Sequence, residues 1–355
     1  MLPQENHYIS PVADTFGRQP CEPCDCDPAG STELQCSVDG KCRCKPGVTG
    51  DKCDQCEANY WSFPEAAEAG CESCDCMVEG SLGNRPNCNT LDGQCECKQN
   101  VEGQRCDRCK SGHFYIDMEN DFGCTPCFCY GHTAQCSVAA GYTKASLTSD
   151  FSRGVDSWQS EEAGLPGQSQ AAFNPFKKFI SLQSVSEPSY FLAPSRFRGD
   201  QLSSYNQLLT FSLKIGRDDV GPRVGAEDIV IEGGGAVPIS ISLPITAQNN
   251  PEPSREFQDY SFKLHENPEF GWTPSLRPKD FMAVLSNVSA VKIRGSYVPA
   301  GQGFIDEFTL ESAEYLGSGS PANWVERCVC PPGYTGEILE LVLNNAHAVA
   351  LMAQS

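Results

Sequence analysis

The chain has 355 residues, 22 of them cysteine, and sets 46 acidic against 26 basic side chains for a net charge of −20. That balance argues against nucleic acid, heparan sulfate and anionic membrane as partners; a solvated acidic surface on a secreted protein is the plain reading. Cysteine at this density implies an oxidising compartment, and no run of ~20 apolar residues offers a transmembrane span.

The opening residues carry neither the basic stretch nor the apolar core of a secretory signal, so the chain is expected to lack its true beginning. Cysteines then dominate. One unit runs through Cys24, Cys26, Cys36, Cys42, Cys44, Cys53, Cys56 and Cys71. It recurs, with some gaps changed, at Cys74, Cys76, Cys88, Cys95, Cys97, Cys106, Cys109 and Cys124. A unit of this size can hardly build a sufficient hydrophobic core, and disulfides of ~2–4 kcal/mol each would replace it. Gly50 and Gly103 each stand six residues after the fifth cysteine, where a tight loop calls for positive φ. Asp39-Gly40 and Asp92-Gly93 are turn dipeptides, Gly30-Ser31 and Gly80-Ser81 match, and Asp54 and Asp107 fill one slot in C-D-x-C.

A third unit starts at Cys127, Cys129 and Cys136, stops, and resumes 192 residues later at Cys328, Cys330 and Gly336. A cysteine-free domain, 137–327, is therefore inserted into it. Within the insert apolar and polar residues alternate over Leu209–Ile215, Val237–Ile245 and Tyr260–Leu264, with further strands at Ile229–Ile231, Val291–Tyr297 and Phe304–Leu310. Pro238 and Pro244 make the second of these an edge strand. One helix is predicted from Pro278 to about Ser286, with Phe281, Val284 and Leu285 on one face. Many strands, one helix and Gly/Pro punctuation predict an all-β sandwich of jelly-roll type.

At both ends the repeat breaks off. Cys21 sits in an eighth-cysteine slot with no first seven, in a segment 1–21 read as the truncated end of an upstream repeat. Cys330 should pair nine residues on, where Leu339 stands, and the seventh-cysteine slot holds Val342. Residues 338–355 abandon the pattern, so both ends read as truncation of a longer chain, with Cys21 and Cys330 unpaired by it.

The cysteine units resemble laminin EGF-like repeats, and the insert resembles the laminin IV type A domain. The insert's likeness rests on SDFSRGVDSWQ, YFLAPSRFRGDQLSSYNQLLTFSLKI, EDIVIEG, VSAVKIRGSY, GFIDEFTLESA and ANWVERCVCPPGYTGE. PCFCYGH, and ENHY before Cys21, are most similar to a laminin γ chain. The resemblance implies repeats at 24–71 and 74–124, a split repeat at 127–136 and 328–337, and a laminin IV sandwich at 137–327. It also implies the linkage, for which sequence alone leaves 105 pairings open per eight cysteines: Cys24–Cys36, Cys26–Cys42, Cys44–Cys53, Cys56–Cys71, then Cys74–Cys88, Cys76–Cys95, Cys97–Cys106 and Cys109–Cys124. In the split repeat it implies Cys127–Cys136 and Cys129–Cys328, the latter clamping both ends of the insert.

What the resemblance implies of function is a secreted structural glycoprotein of basement membrane and extracellular matrix: a disulfide rod bearing one globular domain, acting as a spacer that supports adhesion. The alternative is a glycan- or receptor-binding module, as in perlecan-like or laminin α-like laminin IV domains. Laminin α and β chains would be met only through regions absent here, matrix or cell-surface receptors are open partners, and the segment carries no nidogen loop.

Other candidates compete with plainer readings. Arg198-Gly199-Asp200 spells an integrin tripeptide but sits in a family segment ending in a glycine turn. Asn287-Val288-Ser289 is the N-x-S/T sequon and is expected to carry a glycan. Asp306 and Glu307 could be a carboxylate pair, yet neighbours in a strand face opposite ways, leaving polar strand residues or a structural cation ligand. Zinc at C-x2-C is disfavoured, because the two full repeats hold one histidine, His113; calcium is disfavoured for want of an Asp-x-Asp-Gln/Glu cluster. His7, His113, His132, His265 and His347 are scattered, and Trp158, Trp272 and Trp324 read as core or seam. No enzyme, metal or cofactor is expected.

Overall fold

The computed structural model describes residues 5–12, 17–63, 70–162, 168–185, 189–217 and 224–329. Cys330, Gly336, His347 and the tail 338–355 lie outside them. The chain divides into two compact units, Met1–Thr125 and Pro126–Ser355.

In the first unit sulfur takes the place of a core. Bonds join Cys24–Cys36, Cys26–Cys42, Cys44–Cys53 and Cys56–Cys71, then Cys74–Cys88, Cys76–Cys95, Cys97–Cys106 and Cys109–Cys124. Among the described residues its regular structure is short antiparallel ladders and one 3-10 turn at Leu82–Asn84. Val48–Thr49 pairs with Gln55–Cys56 and Val101–Glu102 with Arg108–Cys109, placing one buried valine in each repeat. Gly50 and Gly103 have φ of +95° and +97°, and an added Cβ would lie 2.5 Å from a carboxylate oxygen of Asp54 or Asp107. Glycine and aspartate in this loop are therefore one feature. Lys98 is buried, its Nζ donating to the carbonyls of Asp117, Met118 and Asn120 at 3.1, 3.3 and 2.9 Å. Three backbone carbonyls hold that ammonium directly, while burial pushes it down and the charges of Asp121, Asp117 and Glu79 oppose that shift.

The second unit is a sandwich of two six-stranded antiparallel sheets. Its strands are β1 (Tyr142–Ser149), β2 (Gln159–Glu162), β3 (Gln168–Gln170), β4 (Ala172–Asn174), β5 (Phe179–Gln183), β6 (Ser189–Leu192), β7 (Leu208–Ile215), β8 (Ile229–Gly233), β9 (Ile239–Leu243), β10 (Gln258–Lys263), β11 (Val288–Arg294) and β12 (Gln302–Tyr315). The first sheet runs β4-β5-β12-β7-β10, with β1 also paired to β12; the second runs β3-β2-β6-β11-β8-β9. β12 is long enough to carry β5 along Gln302–Ile305 and β1 along Phe308–Tyr315.

Alternation drives this arrangement. Leu209, Phe211, Leu213 and Ile215 point inward from β7 and meet Ile231, Val291 and Ile293 of the other sheet in one buried cluster. Trp158, fully buried, packs edge-on to Phe308 and Phe151 at ring-centroid distances of 5.0 and 6.0 Å. The predicted edge strand is β9, shortened to Ile239–Leu243 between Pro238 and Pro244. The helix α1 (Pro278–Ser286) has proline in its first turn and buries Phe281, Met282, Val284 and Leu285.

Candidate functional site

Three places in the described residues hold non-local arrangements that a structural or binding role could use. The first lies between successive cysteine repeats. His7–Ile9 pairs with Cys21–Pro23, and Tyr60–Trp61 pairs with Glu72–Ser73 in the same geometry one repeat later. Each hairpin holds an aromatic ring over the D-G turn of the following repeat. Gly40 and Gly93 take φ of +78° and +69°, and a Cβ there would stand 2.5 Å from the Tyr8 ring and 2.4 Å from the Trp61 ring. The turn glycine serves twice: it permits the left-handed backbone and clears the ring's seat. The aligned aromatic positions were the signal for this lock, and sequence reasoning passed over them.

The second place is where the inserted domain enters and leaves. Cys127–Cys136 and Cys129–Cys328 are bonded, the latter closing 199 residues of chain between Cα atoms 5.7 Å apart. Cys136–Val138 pairs with Glu326–Cys328 in register, so the two chain ends form a short ladder beside the sulfur. Glu326 is 4 % exposed, and its carboxylate accepts from the N–H of Phe128 and of Cys129, both at 2.8 Å. Burial pushes this carboxyl upward, while the two N–H groups pull the other way. Although Cys127, Cys129, Cys136 and Cys328 lie near Glu326, every one of those sulfurs is in a disulfide, and disulfide sulfur offers no thiolate to a metal.

A third network ties the first loop of the sandwich to its core. Arg196 donates to both carboxylate oxygens of Asp156 and to Thr148 O and Ser149 Oγ, each of these last two at 2.6 Å. Ser149 Oγ in turn accepts from Trp158 Nε1 at 2.8 Å. Hydrogen bonding from Arg196 holds the Asp156 carboxyl below its usual range.

The sequence candidates fall as follows. Arg198, Gly199 and Asp200 are exposed but held: Gly199 exchanges two backbone hydrogen bonds with Val288, at 2.8 and 2.7 Å, and Asp200 Oδ1 accepts from Leu202 N at 3.0 Å. Arg198 closes a 3-10 turn on Ser195. Asn287 ends α1 and is exposed, with Nδ2 donating to Gly234 O at 2.9 Å. Trp158 and Trp272 are buried, and half-buried Trp324 donates to Ser203 O at 2.8 Å. Cys21 is an exposed free thiol.

Asp306 and Glu307 require a correction. A bulge in β12 gives Glu307 φ +50°, and the register against β7 slips between Thr210 and Ser212. Ile305 and Phe308 are both buried, so the two acids between them share the outer face instead of opposite faces. Burial raises the Asp306 carboxyl, with Glu307 and Asp150 adding like-charge repulsion. Asp306 Oδ1 accepts from Glu307 N at 2.9 Å, a local closure of the bulge. A void between the sheets measures only 10 Å³, too little for a substrate, and is lined by apolar groups such as Phe197, Leu209 and Phe308 with Gln201 beside them.

With this geometry in hand, the comparisons with known proteins agree on kind. The laminin EGF domain family matches residues 24–71 and 74–124, and the laminin B (domain IV) family matches 190–326. The chain is 40% identical over 339 residues to the laminin-like protein lam-2 of Caenorhabditis elegans, covering 94% of this chain and 20% of that protein. It is 42% identical over 325 residues to human laminin subunit gamma-1, covering 91% of this chain and 19% of that one. The chain thus spans about a fifth of the length of these relatives. Among solved structures, the L4b domain of human laminin alpha-2 aligns with a TM-score of 0.37 at 16% identity, over 44% of this chain and 97% of that domain.

Proposed function

We propose, for a chain that belongs to the laminin family by both of its domain types, a structural function in the extracellular matrix. It is a short-arm segment whose disulfide repeats set a distance and a direction, and whose sandwich is carried as one rigid insert. The observation that carries this reading is the aromatic lock, in which Tyr8 and Trp61 each seat on the turn glycine of the next repeat. A hinge between repeats needs free backbone. Here the hinge is filled by a ring, and bending must unseat it.

Secretion to basement membrane follows the relatives; no helix among the described residues is long and apolar enough to cross a membrane. We place any assembly with laminin alpha and beta chains outside this segment, in keeping with its span of about a fifth of its relatives. No catalytic role is proposed.

The spacer mechanism is tested at Trp61. In Trp61→Ala and Gly93→Ala the oxidised chain should keep its disulfide map but show a broadened distance distribution in small-angle scattering. An unchanged distribution in both variants sinks the mechanism. Asn287 is the proposed glycan acceptor, supported by its exposure beside Ser289, whose Oγ donates to Glu232 O at 3.1 Å. Intact mass before and after amidase treatment of secreted protein should differ by one N-glycan, and Asn287→Gln should abolish the difference.

A further inference from the structure

β10 is the outermost strand of the first sheet: β7 pairs with one side of it, and among the described residues no strand pairs with the other. On that open side its backbone is met by side chains instead. Asn250 Oδ1 accepts from Ser261 N at 3.0 Å, while Asn250 Nδ2 donates to Ser261 O at 2.8 Å. Further along, Gln248 Oε1 accepts from Lys263 N at 2.6 Å and Gln248 Nε2 donates to Lys263 O at 3.3 Å. Each side-chain amide thus presents the acceptor and the donor that a peptide group of a further strand would present.

Placing these amides strains the chain. The 3-10 turn Ala247–Asn249 puts Gln248 and Asn249 in left-handed backbone, at φ +57° and +62°, with no glycine to ease it. The turn is held there by further bonds, from Gln248 Nε2 to Phe270 O at 3.0 Å and from Asn250 Nδ2 to Ala247 O at 2.8 Å. Other edges of the sandwich are closed differently. β9 lies between two prolines, and Ser242 exchanges two backbone bonds with Thr273, both at 2.8 Å. β1 is covered by residues 320–322, with Lys144 N donating to Ser320 O at 2.7 Å and Ala322 N to Tyr142 O at 3.0 Å. β3 and β4 have three residues each, whereas β10 has six. A long edge is the one most open to strand addition, and here the amides lie along it.

We propose that Gln248 and Asn250 close a strand-addition surface, and that the strand this surface fits is β10 of a second copy of the chain, run antiparallel about Ser261. In that register Ser261 faces Ser261, and each copy supplies the donor and acceptor now supplied by Asn250. Asp259 faces Lys263 at both ends, an opposite-charge pair on one face of the ladder. Tyr260 faces Phe262, so the buried aromatic row of β10 continues into the second copy. The strand is therefore self-complementary in backbone, charge and apolar face, and the two amides keep neighbouring molecules from joining edge to edge.

The test adds a fluorescein-labelled peptide of residues 257–264, FQDYSFKL, to the full oxidised chain and reads anisotropy. The double variant Gln248→Ala with Asn250→Ala should bind the peptide about tenfold more tightly than the wild type does. A Ser261→Pro peptide, which lacks the central N–H, should lose that gain. Hydrogen exchange should find the Ser261 and Lys263 amides protected in the wild type and fast in the double variant. Should the double variant fail to fold by thermal melting, Asn250→Asp decides: it keeps the acceptor for Ser261 N, loses the donor to Ser261 O, and should gain about threefold. Equal affinity of the wild type and the deciding variant, no binding by either, or undiminished binding of the Ser261→Pro peptide overturns the inference. The spacer reading stands apart from all these outcomes.

Discussion

Among the described residues of the first unit the apolar ones with no solvent exposure are Cys24, Cys53, Cys106 and Cys124; in the second they include Trp158, Phe191, Leu213, Ile241, Phe262, Ile293 and Phe308. The repeats close loops of nine to nineteen residues with eight disulfides, so each bond constrains a short local stretch. Among the described residues the sandwich uses two, both at its entry and exit, and leaves its interior to packing. The difference teaches where each kind of stability comes from. A unit of ~50 residues has too much surface for its volume, and constraining the unfolded chain is the remaining means. Nearly two hundred residues can bury two sheet faces against each other, and there covalent closure is needed only where the domain interrupts its host.

Reduction should separate the two regimes most sharply. Under dithiothreitol the first unit should lose all its structure, eight bonds at ~2–4 kcal/mol each being far beyond any residual core. The sandwich should stay folded, and limited proteolysis with mass mapping should find cuts confined to residues before Thr125. Simultaneous loss of both units contradicts the comparison.

The converse break is Trp158→Ala, which removes the ring that contacts Phe151, Phe197 and Phe308 and the donor to Ser149 Oγ. It should cost the sandwich about 3–5 kcal/mol in denaturant titration while leaving the disulfide map of the repeats unchanged.

The smallest effect separates the units by pH. His265 is buried and accepts from Asn267 N at its Nδ1, 3.0 Å away, so its proton sits on Nε2, 3.2 Å from Tyr205 Oη; the tyrosine donates onward to Glu266. Burial, with Lys263 adding repulsion, pushes the imidazole down to about 3. Its folded pKa is depressed, so its contribution is present above the unfolded value of ~6.5 and is lost as pH falls below it, by about 1.4 kcal/mol per pH unit. Half-buried Glu266 and buried Asp228 and Glu326 have raised carboxyls and act oppositely, their contributions being lost as pH rises through their folded pKa values. The difference between wild type and His265→Gln isolates the histidine: melting temperatures should converge as pH drops from 7 to 4. Parallel curves would remove His265 from the account.

Residue spacing by itself determined much of this protein. Cysteine intervals marked the repeats and the insertion, because loop closure is a local constraint written along the chain. Alternation marked β7, β9 and β10, shorter apolar runs marked β8, β11 and β12, and helical spacing marked α1, because each reflects one face meeting an apolar core. The strands from β1 to β6 escaped notice. β1, for instance, reads YTKASLTS, with polar residues on both sides, and is a strand because β12 is long enough to pair with it. What only the tertiary structure decided lies between distant segments: rings seated on glycines of the next repeat, Glu326 capping N–H groups nearly two hundred residues away, and the bulge that turns Asp306 and Glu307 to one side. None of these leaves a periodic trace, since each depends on a contact that exists only after the sheets have stacked and the disulfide loops have closed.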